Sequence, residues 1–129
     1  MKLTGIHHHS VRVSDMERAV TFYRDIMGLR EIGIPSTFAP AGLRVRWFQI
    51  GDQHLHLMPA EHADVPSPRH IALNIEDAQK GRAYFKSKGV PTREDVLIPG
   101  ADRFIVSDPD GNNIELIQWK ETYHIVPLD

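Results

Sequence analysis

Three histidines and one glutamate hold equivalent places in an internal repeat of this chain. His8-His9-Ser10-Val11-Arg12-Val13-Ser14-Asp15 aligns with His70-Ile71-Ala72-Leu73-Asn74-Ile75-Glu76-Asp77, 62 residues later. Histidine falls on histidine, Val11 on Leu73, Val13 on Ile75 and Asp15 on Asp77. The register persists where Phe22-Tyr23 meets Tyr84-Phe85. A second match sets Leu55-His56-Leu57-Met58 against Ile114-Glu115-Leu116-Ile117, now 59 residues apart, so one half differs from the other by three residues. A unit of about half the chain, used twice, reads as a duplicated module rather than a solenoid. A pseudo-twofold between modules brings equivalent positions together near its axis. The residues that would meet there are His8, His56, His70 and Glu115. Three imidazoles and a carboxylate suit Zn²⁺, Ni²⁺, Co²⁺, Mn²⁺ or Fe²⁺.

Regular elements must carry these residues. Residues 6–13 alternate, with His8, Ser10 and Arg12 on one face and His9, Val11 and Val13 on the other, the period of a half-buried strand. On that parity His7 lies with His9, away from His8. Ser14-Asp15-Met16-Glu17 has the form of a capping box with Ser14 as the cap. The recurrence of Met16, Ala19/Val20, Tyr23 and Ile26/Met27 predicts a helix over roughly 15–27, stopped by Gly28. Short strands are expected near 29–34, 43–50 and 53–58, the last two joined by a Gly51-Asp52 turn. Trp47 and Phe48 are adjacent on one strand, so one of them faces the site. Phe38 lies in a Pro- and Gly-rich loop that could cover it.

Residues 59–68 hold Pro59, Pro66 and Pro68 and read as a linker. The order then repeats: a strand at 69–75, a helix over about 77–88, and strands near 90–97, 102–107 and 112–118. The last two flank the turn Asp108-Pro109-Asp110-Gly111. The tail 119–129 carries no structural expectation. The fold class is therefore α+β. Two tandem βαβββ modules, about 5–58 and 69–118, form one domain over 1–129. They curl a mixed β-sheet around a cleft, with the helices outside.

Composition narrows the function. The chain has 129 residues, 41% hydrophobic and 25% charged, enough for one core-bearing domain. A net charge of −2 without a basic stripe sets nucleic acid aside as a partner. Cysteine is absent, which removes disulfides and thiolate ligands from this chain. No signal peptide and no 18-residue apolar run is visible, so no membrane is expected and a cytoplasmic location is.

Module order, duplication and ligand positions resemble the vicinal oxygen chelate superfamily, the glyoxalase/bleomycin-resistance/dioxygenase group, over about residues 5–118. Val13-Ser14-Asp15 leading to Phe22-Tyr23 and Gly28-Leu29, with Asp108-Pro109-Asp110-Gly111-Asn112-Asn113-Ile114-Glu115-Leu116, carry the likeness. The resemblance implies a divalent metal on His8, His56, His70 and Glu115, with Glu115 also moving protons. It implies a substrate-carboxylate contact for Arg12, four residues after the first ligand, as in glyoxalase I enzymes. Those enzymes usually carry a carboxylate at the place of His56, whereas several glyoxalase-like and epimerase-like relatives carry histidine. His54 lies on the same strand face as His56 and is the alternative ligand there.

The activity that follows is a metal-dependent lyase, isomerase or epimerase of glyoxalase type, acting on a small substrate with adjacent oxygens. Alternatives are an Fe(II) ring-cleavage dioxygenase, a thiol transferase similar to fosfomycin-resistance proteins, or a non-enzymatic small-molecule binder. A homodimer with sites at or near the subunit interface is expected, because a partner would cover exposed strand edges. Plainer readings exist for each residue: structural histidines, an outward Glu115 on an alternating strand, and an ordinary ion pair for Arg12.

Overall fold

The structure is a computed structural model that describes residues 1–122, 127 and 128. Part of the tail 119–129 thus lies outside the described residues. The architecture is mixed α+β, with two small sheets and few helices. It divides into two compact units. The first is Met1–Ser67 with Asp108–Asn112, and the second is Pro68–Ser107 with Asn113–Asp129.

In the first unit, β1 (His8–Val13) leads to α1 (Met16–Val20), which continues as a π-helical segment over Thr21–Ile26. Then come β2 (Arg30–Ile32), β3 (Arg46–Ile50) and β4 (Gln53–Pro59). The sheet order is β1-β4-β3-β2. β1 and β4 are parallel, a pairing that needs a crossover, and α1 lies in that crossover. Val11, Val13, Phe48, Leu55 and Leu57 are buried, as are Ala19, Val20, Phe22 and Tyr23 of the helix. The π turn closes Met27 N–H onto the Phe22 carbonyl. Its extra residue per turn accompanies two consecutive buried aromatics, Phe22 and Tyr23.

The helix cap differs from the expectation. Asp15, not Ser14, is the N-cap, and its carboxylate accepts from the Arg18 amide at 3.0 Å. Ser14 is engaged elsewhere, because its amide and hydroxyl both donate to Asp110. Glu17 reaches Arg46 rather than back to the cap. Asp77 caps the second helix in the same way, accepting from Lys80 at 2.9 Å, so the Asp15/Asp77 equivalence is a cap equivalence.

The second unit runs β5 (His70–Asn74), α2 (Ala78–Ser87), β6 (Ala101–Ser107) and β7 (Asn113–Trp119), in sheet order β5-β7-β6. β5 and β7 are again parallel. The strand expected near 90–97 is reduced to one bridge, Arg93 with Ile105. Pro91 has no amide to offer a ladder. The Val96 amide is taken by the Asp95 carboxylate, and the Val96 carbonyl by Arg103. Gly81 lets α2 lie close to the sheet, since a Cβ there would stand 2.5 Å from Ile75 Cδ1 and 3.0 Å from Phe104 Cζ.

The Asp108–Asn112 turn belongs to the first unit. Asp108 is buried. One of its oxygens accepts from the Asp110 and Asn112 amides, both at 2.9 Å. The other accepts from Tyr23 Oη at 2.8 Å and Asn112 Nδ2 at 2.9 Å. Burial first, then the Asp108 charge and hydrogen bond, raise the Tyr23 pKa well above its usual 10.0. A raised folded-state pKa gives stability that is complete below pH 10 and lost as pH rises further. Tyr23→Phe should therefore lower unfolding free energy by about 1.5–3 kcal/mol at neutral pH. In urea titrations at several pH values, the gap between wild type and variant should close above pH 10. A gap independent of pH would show that the phenol's proton is not held by the fold.

Candidate metal centre and substrate face

Strand register decides which side chains share a face. In the first sheet His8 pairs with His54, Ser10 with His56, and Trp47 with His56. Cross-strand partners point to the same side. One face therefore presents His8, Ser10 and Arg12 from β1, His54 and His56 from β4, and Trp47 and Gln49 from β3. The other face is the apolar core. In the second sheet Ala72 pairs with Glu115 and His70 with Asn113, while Ile105 of β6 also faces Glu115. That face presents His70, Asn113, Glu115, Arg103 and Ser107.

The two registers are equivalent. The first-strand histidine lies two residues before the partner of the last-strand donor in each case: His8 before Ser10↔His56, His70 before Ala72↔Glu115. The repeat seen in the sequence is thus a repeat of strand register. His8 and His56 lie in the first unit, His70 and Glu115 in the second.

The first pair is packed by rings. His56 is only 5% exposed and stacks on Trp47, with centroids 4.0 Å apart and planes at 2°. The His8 ring stacks on His56 at 4.1 Å and 19°. Phe38 meets Trp47 edge-on at 5.5 Å. Of the adjacent aromatics, Trp47 faces the histidines and Phe48 is in the core. His54 Nδ1 is 3.5 Å from His56 Nε2.

His7 departs from the expected parity. Its Nδ1 is 2.9 Å from His8 Nδ1, and its ring stands edge-on to His54 at 5.0 Å. It precedes β1, so strand alternation does not govern it. Burial, followed by the nearby His8, His54 and His7 rings, lowers the His56 pKa from 6.5 to about 4. At neutral pH His56 is therefore a neutral imidazole, the form a metal requires.

The second pair is polar. Glu115 is 6% exposed, with Oε2 at 3.1 Å from His70 Nε2 and Oε1 at 2.9 Å from Arg103 Nη1. His70 Nδ1 lies 2.9 Å from the Pro68 carbonyl. A carbonyl only accepts, so Nδ1 donates to it, and Nε2 is the nitrogen turned toward Glu115. Two donors each about 2.0–2.2 Å from one ion stand about 3 Å apart. The His70–Glu115 separation fits such a pair, and the donor types fit a divalent ion.

Among the described residues, no group of three or more His, Asp or Glu side chains is gathered to hold an ion. What the chain brings together is His8 with His56, and His70 with Glu115. Arg12 shares the His8 face, 59% exposed, and pairs with Asp64 at 2.7 Å. Sequence reasoning missed Arg103. Alternation on β6 puts it on the Glu115 face, opposite Phe104 and Val106, but no spacing marks a lone arginine as a carboxylate partner.

Comparison with known proteins identifies the class. The sequence profile of the Glyoxalase/Bleomycin resistance protein/Dioxygenase superfamily matches residues 5–116, and the chain belongs to that superfamily. It is 29% identical over 132 residues to the lactoylglutathione lyase of Haemophilus influenzae, covering 91% of this chain and 94% of that one. A Bacillus anthracis structure assigned to the glyoxalase family superposes with a TM-score of 0.84 at 27% identity, over 93% of this chain and 98% of that one. TnmS3, an antibiotic binding protein from a Streptomyces species, superposes with a TM-score of 0.68 at 27% identity, over 92% and 98%.

The His56 environment is directly measurable. In the metal-free protein, ring ¹⁵N shifts should keep His56 neutral down to about pH 4. A lowered folded-state pKa stabilises the fold above 6.5, and that stability is lost as pH falls toward 4. Trp47→Ala should let water in and raise the His56 pKa toward 6.5. A wild-type His56 that titrates near 6.5 would contradict the stacked, desolvated arrangement.

Proposed function

We propose that the protein is a metal-dependent enzyme of glyoxalase type, a lyase, isomerase or epimerase acting on a small molecule with adjacent oxygens. The observation that carries this reading is the matching register of two donor pairs, His8/His56 and His70/Glu115. Similarity to lactoylglutathione lyases supports it, at modest identity. His8, His56, His70 and Glu115 would hold one divalent ion, Zn²⁺, Ni²⁺, Co²⁺, Mn²⁺ or Fe²⁺. Such an ion supplies Lewis acidity toward adjacent substrate oxygens. Three neutral imidazoles and one carboxylate leave it a net positive charge.

The chain's own groups do the rest. Glu115 also accepts and returns a substrate proton. Trp47 and Phe38 offer an apolar wall beside His56. Arg12 binds an anionic part of the substrate. An exposed ion pair such as Arg12–Asp64 contributes only about 0–1 kcal/mol, so a substrate carboxylate can displace Asp64.

The site is shared in a homodimer, with His8 and His56 from one subunit and His70 and Glu115 from its mate. A twofold partner that covers the exposed strand edges of both sheets supports this. Mixing His8→Ala with Glu115→Ala protein under subunit exchange should restore part of the metal binding and activity. Mixed dimers, verified by mass, that stay inactive would sink the shared site.

A second reading, a small-molecule binder without catalysis, is favoured by the likeness to TnmS3. Metal analysis of protein purified without chelator or nickel resin separates the two. Zinc, nickel, cobalt or manganese near one per chain supports the enzyme, iron favours the ring-cleavage dioxygenase, and no metal favours the binder. Arg12→Ala should retain the metal and weaken an anionic inhibitor several-fold. Loss of metal in that variant would make Arg12 structural.

A further inference from the structure

Arg103 is the least expected group beside the second donor pair. Its side chain is largely buried, and its guanidinium makes four contacts in its own unit. Nη1 donates to Glu115 Oε1 at 2.9 Å and to Asp95 Oδ2 at 3.4 Å. Nε and Nη2 donate to the Val96 carbonyl at 3.1 and 2.5 Å. The planar fork is thus clamped by a backbone carbonyl on one edge and presents the other edge to Glu115. Arginine has no acceptor atom and stays charged, so it can only donate to that carboxylate.

The two oxygens of Glu115 are thereby made unequal. Oε1 is engaged by a fixed cation. Oε2 faces His70 Nε2 at 3.1 Å, on a ring whose Nδ1 is turned to the Pro68 carbonyl. A carboxylate with both oxygens free could bind an ion through either or both. With Oε1 held, one oxygen remains, on the histidine side.

We propose that Arg103 is a positioning residue that reserves Glu115 Oε2 for the metal and enforces one-oxygen coordination. The proposal rests on the metal reading above and deepens it. It adds a structural link. The clamp on Val96 ties the loop bearing the exposed Val96 and Leu97, 77% and 80% accessible, to the metal-side carboxylate. Partners that orient a ligating group typically change metal affinity by about 10–100-fold when altered. Arg103→Lys keeps the charge and removes the fork, so it isolates orientation from electrostatics.

The test uses zinc and the full-length protein. Zinc affinity is measured by competition with a chromophoric chelator. The infrared difference between zinc-loaded and metal-free protein gives the separation of the antisymmetric and symmetric carboxylate stretches. That separation is wide for one-oxygen binding and narrow for two-oxygen binding. Wild type should bind zinc with a wide separation. Arg103→Lys should bind it about tenfold or more weakly, with a narrowed separation. An Arg103→Lys protein with wild-type affinity and an unchanged separation would overturn the proposal and leave the metal reading intact. A wild type that binds no zinc, nor any of the other candidate ions, would overturn both. If Arg103→Lys fails to fold by circular dichroism, Arg103→Met is read in the same way. The wild-type spectrum stands without any variant, since a narrow separation there is by itself fatal.

Discussion

The parallel pairing of the first and last strands of each sheet is the constraint on which the rest depends. β1 lies beside β4, and β5 beside β7. Side chains alternate along a strand with period two, so a one-residue slip would carry every donor from the polar face into the core. The apolar faces forbid that slip. Val11, Val13, Leu55 and Leu57 in one sheet, with Phe104, Val106, Ile114 and Leu116 in the other, are buried. The hydrophobic side of each sheet thus sets the position of the chemical side. Crossover helices that begin at Asp15 and Asp77 make both parallel pairings possible.

Much of this was legible in the chain. Alternation over 8–13 and 70–74 places the histidines, and helical spacing locates both crossovers. The repeat offset changes from 62 to 59 between the first and last strands, and the structure reproduces this in its registers. These features are local and periodic, so sequence reports them well. Identification of the superfamily follows from the same motifs. The strand positions of His8, His56, His70 and Glu115 were legible for the same reason.

What was not legible depends on individual side-chain contacts and on where a strand begins. Ser14 looks like a cap until Asp110, from the far turn, takes both its amide and its hydroxyl. Residues 90–97 look like a strand until side chains claim the Val96 amide and carbonyl, leaving one bridge at Arg93. His7 follows strand parity only on paper, because the strand begins one residue later. Arg103 carries no motif at all. For Ser14 and for residues 90–97, side chains outcompete a backbone pattern, and individual side chains leave no period to read.

The central claim is that two donor pairs, built alike in two units, serve one ion. X-ray absorption at the zinc edge of the loaded protein tests it most directly, because imidazole rings leave a distinctive multiple-scattering pattern. The account predicts three imidazoles and one carboxylate oxygen about 2.0–2.2 Å from a single zinc. A zinc with two imidazoles and no carboxylate, or with one imidazole and one carboxylate, would mean that the pairs act separately, and would contradict it.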